Sequence, residues 1–258
     1  DIVGFSLTMK VLVFIFLGIL ITSCFLLNDR HEEIQALNAL NSRDVKIKRS
    51  IKNQFSEFVD ISVLKDVTFL WVGVSICMIE FSLILVTTYI PSYALAKGFT
   101  ESQSLIALTI TNASGVFGRL IPAILSDHYG PFNMGILMSA IMMLSIFVIW
   151  LPFGSKWGGL ITFCVIFGFA MAGTLSITPL CTAAISEPKD FGRRYGTAYF
   201  FVSFINLIAL PVGIGLTTTK LGYDSMVIFT GCTTVISTMS FIVCRYKVGG
   251  GLKLRLKV

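Results

Sequence analysis

The chain has 258 residues, of which 55% are hydrophobic and 13% are charged, and its mean hydropathy is +0.83. An ordinary soluble domain has about 25% charged residues, because polar groups must cover its core. This composition excludes a disordered chain and most soluble enzymes, and it indicates a membrane protein with several spans. The net charge of +6 would suit a nucleic-acid-binding protein, but the positions of the basic residues, described below, connect it with membrane topology.

Seven apolar runs follow one another along the chain. They cover residues 11–27, 67–90, 105–125, 132–152, 157–185, 195–216 and 226–244. A membrane-spanning helix needs about 20 apolar residues, and each run meets or approaches that length. None shows the strict alternation of a barrel strand, and only helices or closed barrels satisfy the backbone inside a bilayer. The sequence therefore predicts an all-α integral membrane protein.

The segment between the first two runs, residues 28–66, differs from every other connection in length and polarity. It contains seven basic and seven acidic residues. A few apolar positions, Ile34, Leu37 and Leu40, predict one or two amphipathic helical turns within it. We interpret the segment as a solvated linker, since mixed charge of this density is typical of a solvent-facing surface.

Basic residues are distributed unevenly over the two sides of the predicted membrane. The linker, the turn that follows the third run, the 186–194 loop and the C-terminal tail all lie on one side. The opposite side carries only Lys10, Lys97, Lys156 and Lys220. Loops rich in Lys and Arg face the cytoplasm, so we expect the linker and the C-terminus there. The positive charge is thus a topology signal, and no nucleic-acid partner is predicted.

One helix, a long cytoplasmic loop and six further helices form the end of a six-plus-six arrangement, in which two halves flank a central cavity. Residues 1–27 would be the last helix of the N-terminal half, and 28–66 the central loop. Residues 67–245 would be the C-terminal six-helix domain, followed by a basic cytoplasmic tail at 246–258. The first residue is Asp1 and no signal peptide is recognised, so we expect a piece of a longer protein.

The turn after the third run carries a recognisable motif. It begins with Gly118 and Arg119 and continues through Asp127 to Gly130. This pattern resembles the signature of the major facilitator superfamily at the corresponding cytoplasmic turn. The resemblance implies a gating role for Gly118, Asp127 and Gly130. The cation that usually follows the aspartate is absent here, where His128 stands instead.

A second stretch, residues 186–199, continues to Pro211, Gly213 and Gly215. Together with Asn112, Gly118 and Arg119 it resembles the fungal branch of the monocarboxylate transporter family, which includes relatives that carry riboflavin. The resemblance covers roughly residues 67–245. It implies the C-terminal half of a twelve-helix carrier plus one preceding helix, with about five helices missing at the N-terminus.

Arg119 is the first candidate for solute binding. It matches an arginine that, in animal members of the family, binds the substrate carboxylate. In those members an aspartate one turn away handles the proton, but Gly115 stands at its position here. Proton coupling by this aspartate and arginine pair is therefore not carried over. Asn112, Gly115 and Arg119 are spaced i, i+3 and i+7, so we expect them to share one helix face. Placing an arginine inside a membrane costs free energy, and its planar guanidinium group suits a carboxylate. The alternative is that the Arg119 side chain extends to the lipid headgroups.

Glu80 interrupts the second run near its middle. A low-dielectric environment favours the neutral form of a carboxyl group, which makes Glu80 a candidate proton carrier. The alternative is a structural carboxyl that is protonated or paired between helices.

Two further polar stripes occur at helical spacing. Tyr199, Ser203 and Asn206 align in the sixth run, and we predict that Tyr199 and Asn206 bind solute. Thr174, Thr178 and Thr182 align in the fifth run. Side-chain bonds to the helix backbone and packing between helices explain such stripes equally well.

These features favour a secondary active transporter of a small organic solute, working by alternating access. The resemblance implies a monocarboxylate, a related anion or riboflavin as the solute, with protons as a possible second partner. Further partners are membrane lipid and the N-terminal helices of the same carrier. A plasma-membrane or vacuolar location is expected. No enzyme, cofactor or metal motif is recognised; the alternative is a non-transporting sensor or an inactive fragment on the same scaffold.

Overall fold

A computed structural model describes residues 5–26 and 61–249. The predicted amphipathic turns of the linker lie outside the described residues, as does the tail from residue 250 onwards. The described residues form seven helices. They are α1 (Phe5–Leu26), α2 (Val67–Ala96), α3 (Glu101–Tyr129), α4 (Pro131–Phe153), α5 (Trp157–Ala184), α6 (Phe191–Thr217) and α7 (Tyr223–Gly249). A short 3-10 turn, Ile61–Lys65, precedes α2, and residues Ser145–Trp150 of α4 are π-helical.

Each of these seven helices is long and apolar enough to cross a membrane. The predicted class, an all-α protein with several membrane spans, is therefore confirmed for the described residues. Local signals set the helix ends. The Asp66 carboxylate accepts hydrogen bonds from the backbone of Thr68 and Phe69 at the start of α2. Thr100 and Gln103 form a reciprocal capping box at the start of α3, which satisfies two otherwise unpaired backbone groups.

The chain divides into two compact units, one holding α1 and the other holding α2–α7. Along α1, the described side chains are exposed throughout, and large apolar residues such as Phe14, Phe16 and Leu20 face outward. A helix that is apolar on all sides suits a lipid environment.

Within the six-helix unit, α3 packs along α5, α2 packs along α7, and α4 contacts both α5 and α7. Helix α6 packs mainly on α2. In the most apolar stretch of each helix, the share of buried residues is 61% for α2, 28% for α3 and 17% for α6. Helices α3 and α6 therefore present broad apolar faces to their surroundings, whereas α2 and α5 form the interior.

Small residues allow α3 and α5 to approach closely. A Cβ atom on Gly118 would overlap the backbone carbonyl group of Phe169, and one on Gly168 would overlap the Thr111 carbonyl oxygen. A Cβ atom on Gly115 would lie 3.2 Å from that of Ala172. Glycine at these positions removes the side chain that would separate the two backbones, as is common between membrane helices.

Hydroxyl groups connect α2 to α7. The Ser82 and Thr233 side-chain oxygens lie 2.6 Å apart, and the Ser237 hydroxyl donates to the Ser75 carbonyl oxygen at 2.9 Å. These groups are buried. Both contacts bridge residues far apart in sequence, so they align the two helices along their length.

The bond between Ser82 and Thr233 is expected to make a modest contribution to stability. A double-mutant cycle of Ser82→Ala and Thr233→Val should give a coupling free energy of about 0.6 kcal/mol and no more than about 1.7 kcal/mol, the range measured for hydrogen bonds between membrane helices. Thr109→Val serves as the control, because the exposed Thr109 hydroxyl, as far as the described residues show, bonds only within its own helix. A coupling free energy indistinguishable from zero would contradict the assignment.

Candidate functional site

Glu80 lies on α2 and is 8% exposed. The hydroxyl of Tyr199, on α6, donates a hydrogen bond to Glu80 Oε1 at 2.9 Å. A residue predicted to carry a proton and one predicted to bind solute are therefore joined directly. Such a bond holds the carboxyl group in a fixed orientation, and it lies between a tightly packed helix and a loosely packed one.

Aromatic rings extend this site along α6 towards its first residue. The centroids of the Tyr195 and Tyr199 rings are 4.7 Å apart, and those of Phe191 and Tyr195 are 5.6 Å apart. The three rings form a continuous column over two helical turns. This column fixes the position of the Tyr199 ring, and hence of the hydroxyl that contacts Glu80.

A second contact joins α2 and α6 further along both helices. The Tyr89 hydroxyl donates to the Leu210 carbonyl oxygen at 3.0 Å, and the Tyr89 ring fills the space beside Gly213. Asn206 lies on α6 between the two contacts. Its Oδ1 atom is buried and has no hydrogen-bond partner among the residues that the structure describes. Within the described part of the chain, an unsatisfied polar atom of α6 thus lies between two phenol contacts with α2.

Arg119 and Asn112 lie elsewhere, on the exposed face of α3. The Asn112 amide donates to the Leu108 carbonyl oxygen of its own helix. Gly115, which we expected on the same face, is buried against α5. The structure therefore brings Glu80 and Tyr199 together but leaves the Asn112 and Arg119 pair on a separate surface.

The residues of the predicted gating motif lie at the end of α3 and the turn to α4. Gly118 is buried in the seam with α5, whereas Asp127 is exposed. Gly130 ends α3 with φ of +86°, a backbone conformation that favours glycine.

Sequence reasoning missed a contact at this turn. Arg245, near the end of α7, is 2% exposed, and its Nε donates to Asn133 Oδ1 at 2.8 Å. Asn133 in turn donates to the Tyr129 carbonyl oxygen at 2.7 Å. The only sequence signal was a polar residue, Asn133, close to where related motifs have a cation. Arg245, the last residue of the predicted six-helix domain, therefore ties α7 to this turn.

The threonine stripe of α5 is buried, and each of its hydroxyl groups bonds a carbonyl oxygen one turn earlier in the same helix. These hydroxyl groups are satisfied within their own helix, as the alternative explanation of such stripes expects. Among the described residues, no cluster of three His, Cys, Asp or Glu side chains could hold a metal ion.

Charged groups surround the loop before α6. Arg194 Nη1 donates to the Ile185 carbonyl oxygen at 2.8 Å and lies 3.5 Å from Asp66 Oδ2, which connects this loop to the start of α2. Lys189 Nζ lies 2.7 Å from Glu187 Oε2. Their hydrogen bond lowers the pKa of the Glu187 carboxyl group and raises the pKa of the Lys189 ammonium group. Both side chains are well exposed, so this pair contributes little to stability.

The chain is similar in sequence to several fungal proteins that are named as transporters. The chain is 30% identical over 252 residues to the riboflavin transporter MCH5 of Saccharomyces cerevisiae, an alignment that covers 95% of this chain and 47% of that protein. It is 30% identical to MFS-type transporter 1 of an Ophiocordyceps species, with 71% of this chain and 41% of that protein covered. It is 25% identical to the MFS-type transporter opdF of Penicillium oxalicum, with 96% and 54% covered. The chain thus spans about half the length of these relatives.

The crystal structure of an auto-inhibited POT family peptide transporter has the same fold, with a TM-score of 0.63 at 15% sequence identity over 74% of this chain and 38% of that one. The sequence model of one protein family, the Major Facilitator Superfamily, matches residues 2–183 of the chain. This match confirms the family predicted from the sequence, and it assigns the chain to a family of transporters and not of enzymes. The chain belongs to the Major Facilitator Superfamily.

Proposed function

We propose that this chain is part of a secondary active transporter that moves a small organic solute by alternating access. The observation that carries the proposal is the buried Glu80 carboxyl group bonded to Tyr199. An ionisable group inside a membrane protein is costly and is usually kept for function. Here it lies at a helix seam that includes the least buried helix of the unit.

The packing of α6 supports a moving part at this seam. Few of its residues are buried. Besides apolar contacts, two described hydrogen bonds join α6 to α2: one between Tyr199 and Glu80, and one between the Leu210 carbonyl oxygen and Tyr89. Protonation of Glu80 would change a carboxylate that accepts from Tyr199 into a carboxylic acid that can also donate. We propose that this change couples proton movement to a shift of α6 relative to α2.

The exposed faces of α3 and α6 support a further proposal about partners. Large apolar side chains on these faces, such as Phe117 on α3 and Phe204 on α6, are more than half exposed. We propose that the N-terminal helices of the same carrier cover part of this surface and that lipid covers the rest. Arg119 and Asn112 would then face the solute pathway. The C-terminus is proposed to lie in the cytoplasm, at the plasma or vacuolar membrane.

The proposed solutes are a monocarboxylate, a related organic anion or riboflavin, the last supported by the similarity to a protein named as a riboflavin transporter. Uptake of labelled pyruvate and of riboflavin by cells that express the complete gene tests this proposal. We expect saturable uptake of at least one of them above that of cells lacking the gene. Background uptake of both, with the protein present in the membrane, would contradict the proposed solute class.

Arg119→Lys is expected to weaken uptake although the charge is kept. Lysine offers a point charge in place of a planar fork, and the loss of one charge-assisted contact costs about 1.5–3 kcal/mol, or roughly ten- to a hundredfold in apparent affinity. The measurement is the concentration dependence of solute uptake at matched membrane abundance, with Arg119→Ala as the comparison. Wild-type affinity in the lysine variant would show that Arg119 only extends to the headgroups.

A further inference from the structure

The buried Glu80 carboxyl group is connected to the beginning of α6 through two phenol side chains. The Tyr199 hydroxyl donates to Glu80 Oε1 at 2.9 Å, and the centroid of the Tyr195 ring lies 4.7 Å from that of the Tyr199 ring. The Tyr195 and Tyr199 side chains also interact electrostatically. Helix α6 begins at Phe191, so Tyr195 lies about 6 Å and Tyr199 about 12 Å along its axis. The two phenols therefore form successive steps from the helix end to the carboxyl group.

The outer end of this path lies beside a charged loop. Glu187 and Lys189, in the loop that precedes α6, are well exposed, and Tyr195 itself is partly exposed. Glu80, in contrast, is 8% exposed. A proton that enters from this loop, which we place on the cytoplasmic side, would therefore reach Tyr195 first, then Tyr199 and finally Glu80.

Other polar groups near Glu80 offer no comparable path. On α2 the nearest titratable group is the Cys77 thiol, one helical turn before Glu80. Helix α7 meets α2 at this level through the hydroxyl groups of Thr233 and Ser237, and none of its residues at this level is charged. The Cys77, Thr233 and Ser237 side chains are all buried, so none of them connects Glu80 to an exposed surface.

A chain of water molecules between α2 and α6 is the competing route to Glu80. The groove between these helices is lined by apolar side chains such as Val74, Met78 and Phe201. Among the described residues, those that line it carry no charged group and no hydroxyl group. An ordered water molecule inside a protein needs about two to four polar partners. The observations therefore favour the two phenols over a water chain.

We propose that Tyr195 and Tyr199 form a proton relay between the solvent and Glu80. The inference rests on the proposed proton coupling and names the path that the proton takes. A phenol hydroxyl both donates and accepts. A proton from solvent binds the Tyr195 oxygen while the Tyr195 hydroxyl proton moves to the Tyr199 oxygen, and the Tyr199 hydroxyl proton moves to Glu80 Oε1. Each phenol gains one proton and loses one, so a hydronium ion and a carboxylate become a water molecule and a carboxylic acid.

The experiment follows protonation of Glu80 directly, without any solute. The purified product of the complete gene is placed in lipid nanodiscs, the pH is lowered by a light-released proton, and the infrared carbonyl band of carboxylic acids is recorded over time. The Glu80 contribution is the part of the signal that Glu80→Gln lacks. Tyr195→Phe removes one oxygen atom and keeps the ring column. The Glu80 band should therefore reach its wild-type size but appear about a hundredfold more slowly, the lower end of what a positioned proton-transfer group contributes.

Two further variants test whether the phenols act in series. Tyr199→Phe should slow the band by a similar factor, and the double variant should be no slower than the slower single variant. A multiplied effect in the double variant would place the two phenols on separate routes and contradict the relay. Tyr246→Phe is the matched control, because Tyr246 on α7 is 61% exposed and should leave the rate at the wild-type value.

A wild-type protonation rate in Tyr195→Phe would overturn the proposal and leave Tyr195 with only a packing role in the ring column. Absence of a Glu80-dependent band in the wild-type protein would also overturn it, together with the proposed proton coupling. Because no solute is present, the readout is independent of transport. Slow protonation in Tyr195→Phe without solute counterflow in the wild type would support the relay and contradict the transport function, whereas a wild-type rate with normal counterflow would overturn the relay alone.

Discussion

Gly118→Ala is expected to destabilise the six-helix unit strongly. A methyl group at this position overlaps backbone atoms of Phe169, which cannot rotate away as a side chain can. The α3 and α5 helices would have to separate, and overpacking of this kind costs about 1–3 kcal/mol or more. Thermal unfolding of the purified protein and its abundance in the membrane should both decrease.

Gly158→Ala is the matched control, because it places a methyl group on α5 where no heavy atom lies within 4 Å. Its unfolding temperature should remain at or above that of the wild type, since alanine favours helix more than glycine does. Wild-type stability in Gly118→Ala would contradict the packing role. Loss of transport at unchanged stability would instead favour the gating role that the sequence motif implied for Gly118.

Glu80→Gln is expected to abolish solute uptake driven by a pH gradient. The amide cannot gain or lose a proton at this site, whereas it still accepts a hydrogen bond from Tyr199. Exchange of solute across the membrane needs no net proton release and should survive. The measurement compares gradient-driven uptake with exchange in the same vesicles at matched protein content.

Tyr199→Phe keeps the ring column but removes the bond to Glu80, so gradient-driven uptake should decrease with exchange retained. Ser203→Ala is the control on the same helix, because the exposed Ser203 hydroxyl bonds the Phe200 carbonyl oxygen and no other described residue. If Glu80→Gln leaves gradient-driven uptake undiminished, the proposed proton coupling is contradicted. Glu80 would then have only a structural role between α2 and α6.

The helices could be predicted because a bilayer imposes a length on every apolar run. Their ends could not be predicted from hydropathy alone. Helix α3 begins at Glu101 with a polar first turn, held by the Thr100 and Gln103 capping box, four residues before the apolar run. Helix α6 likewise begins at Phe191, four residues earlier than expected. Polar and charged residues extend a helix beyond the hydrocarbon region, where hydropathy no longer marks it.

The candidate site was predicted in its parts but not in its assembly. Glu80 and Tyr199 were each singled out, yet their contact depends on how α2 and α6 rotate about their axes, which composition does not determine. On α3, each residue turns the helix face by about 100°, so Asn112 and Gly115 differ by about 60°. That difference is enough to bury Gly115 against α5 while Asn112 stays exposed. The contact of Arg245 could not be predicted, because charge alone does not reveal a buried partner such as Asn133.

The most direct test of the proposed transport function is solute counterflow. The product of the complete gene is reconstituted in vesicles loaded with excess unlabelled riboflavin, in the absence of any ion gradient, and a trace of labelled riboflavin is added outside. A carrier that alternates its access should accumulate label inside transiently above the outside concentration, and Glu80→Gln should retain this accumulation. Simple equilibration of the label without overshoot, or binding of riboflavin without entry into the vesicles, would contradict alternating access.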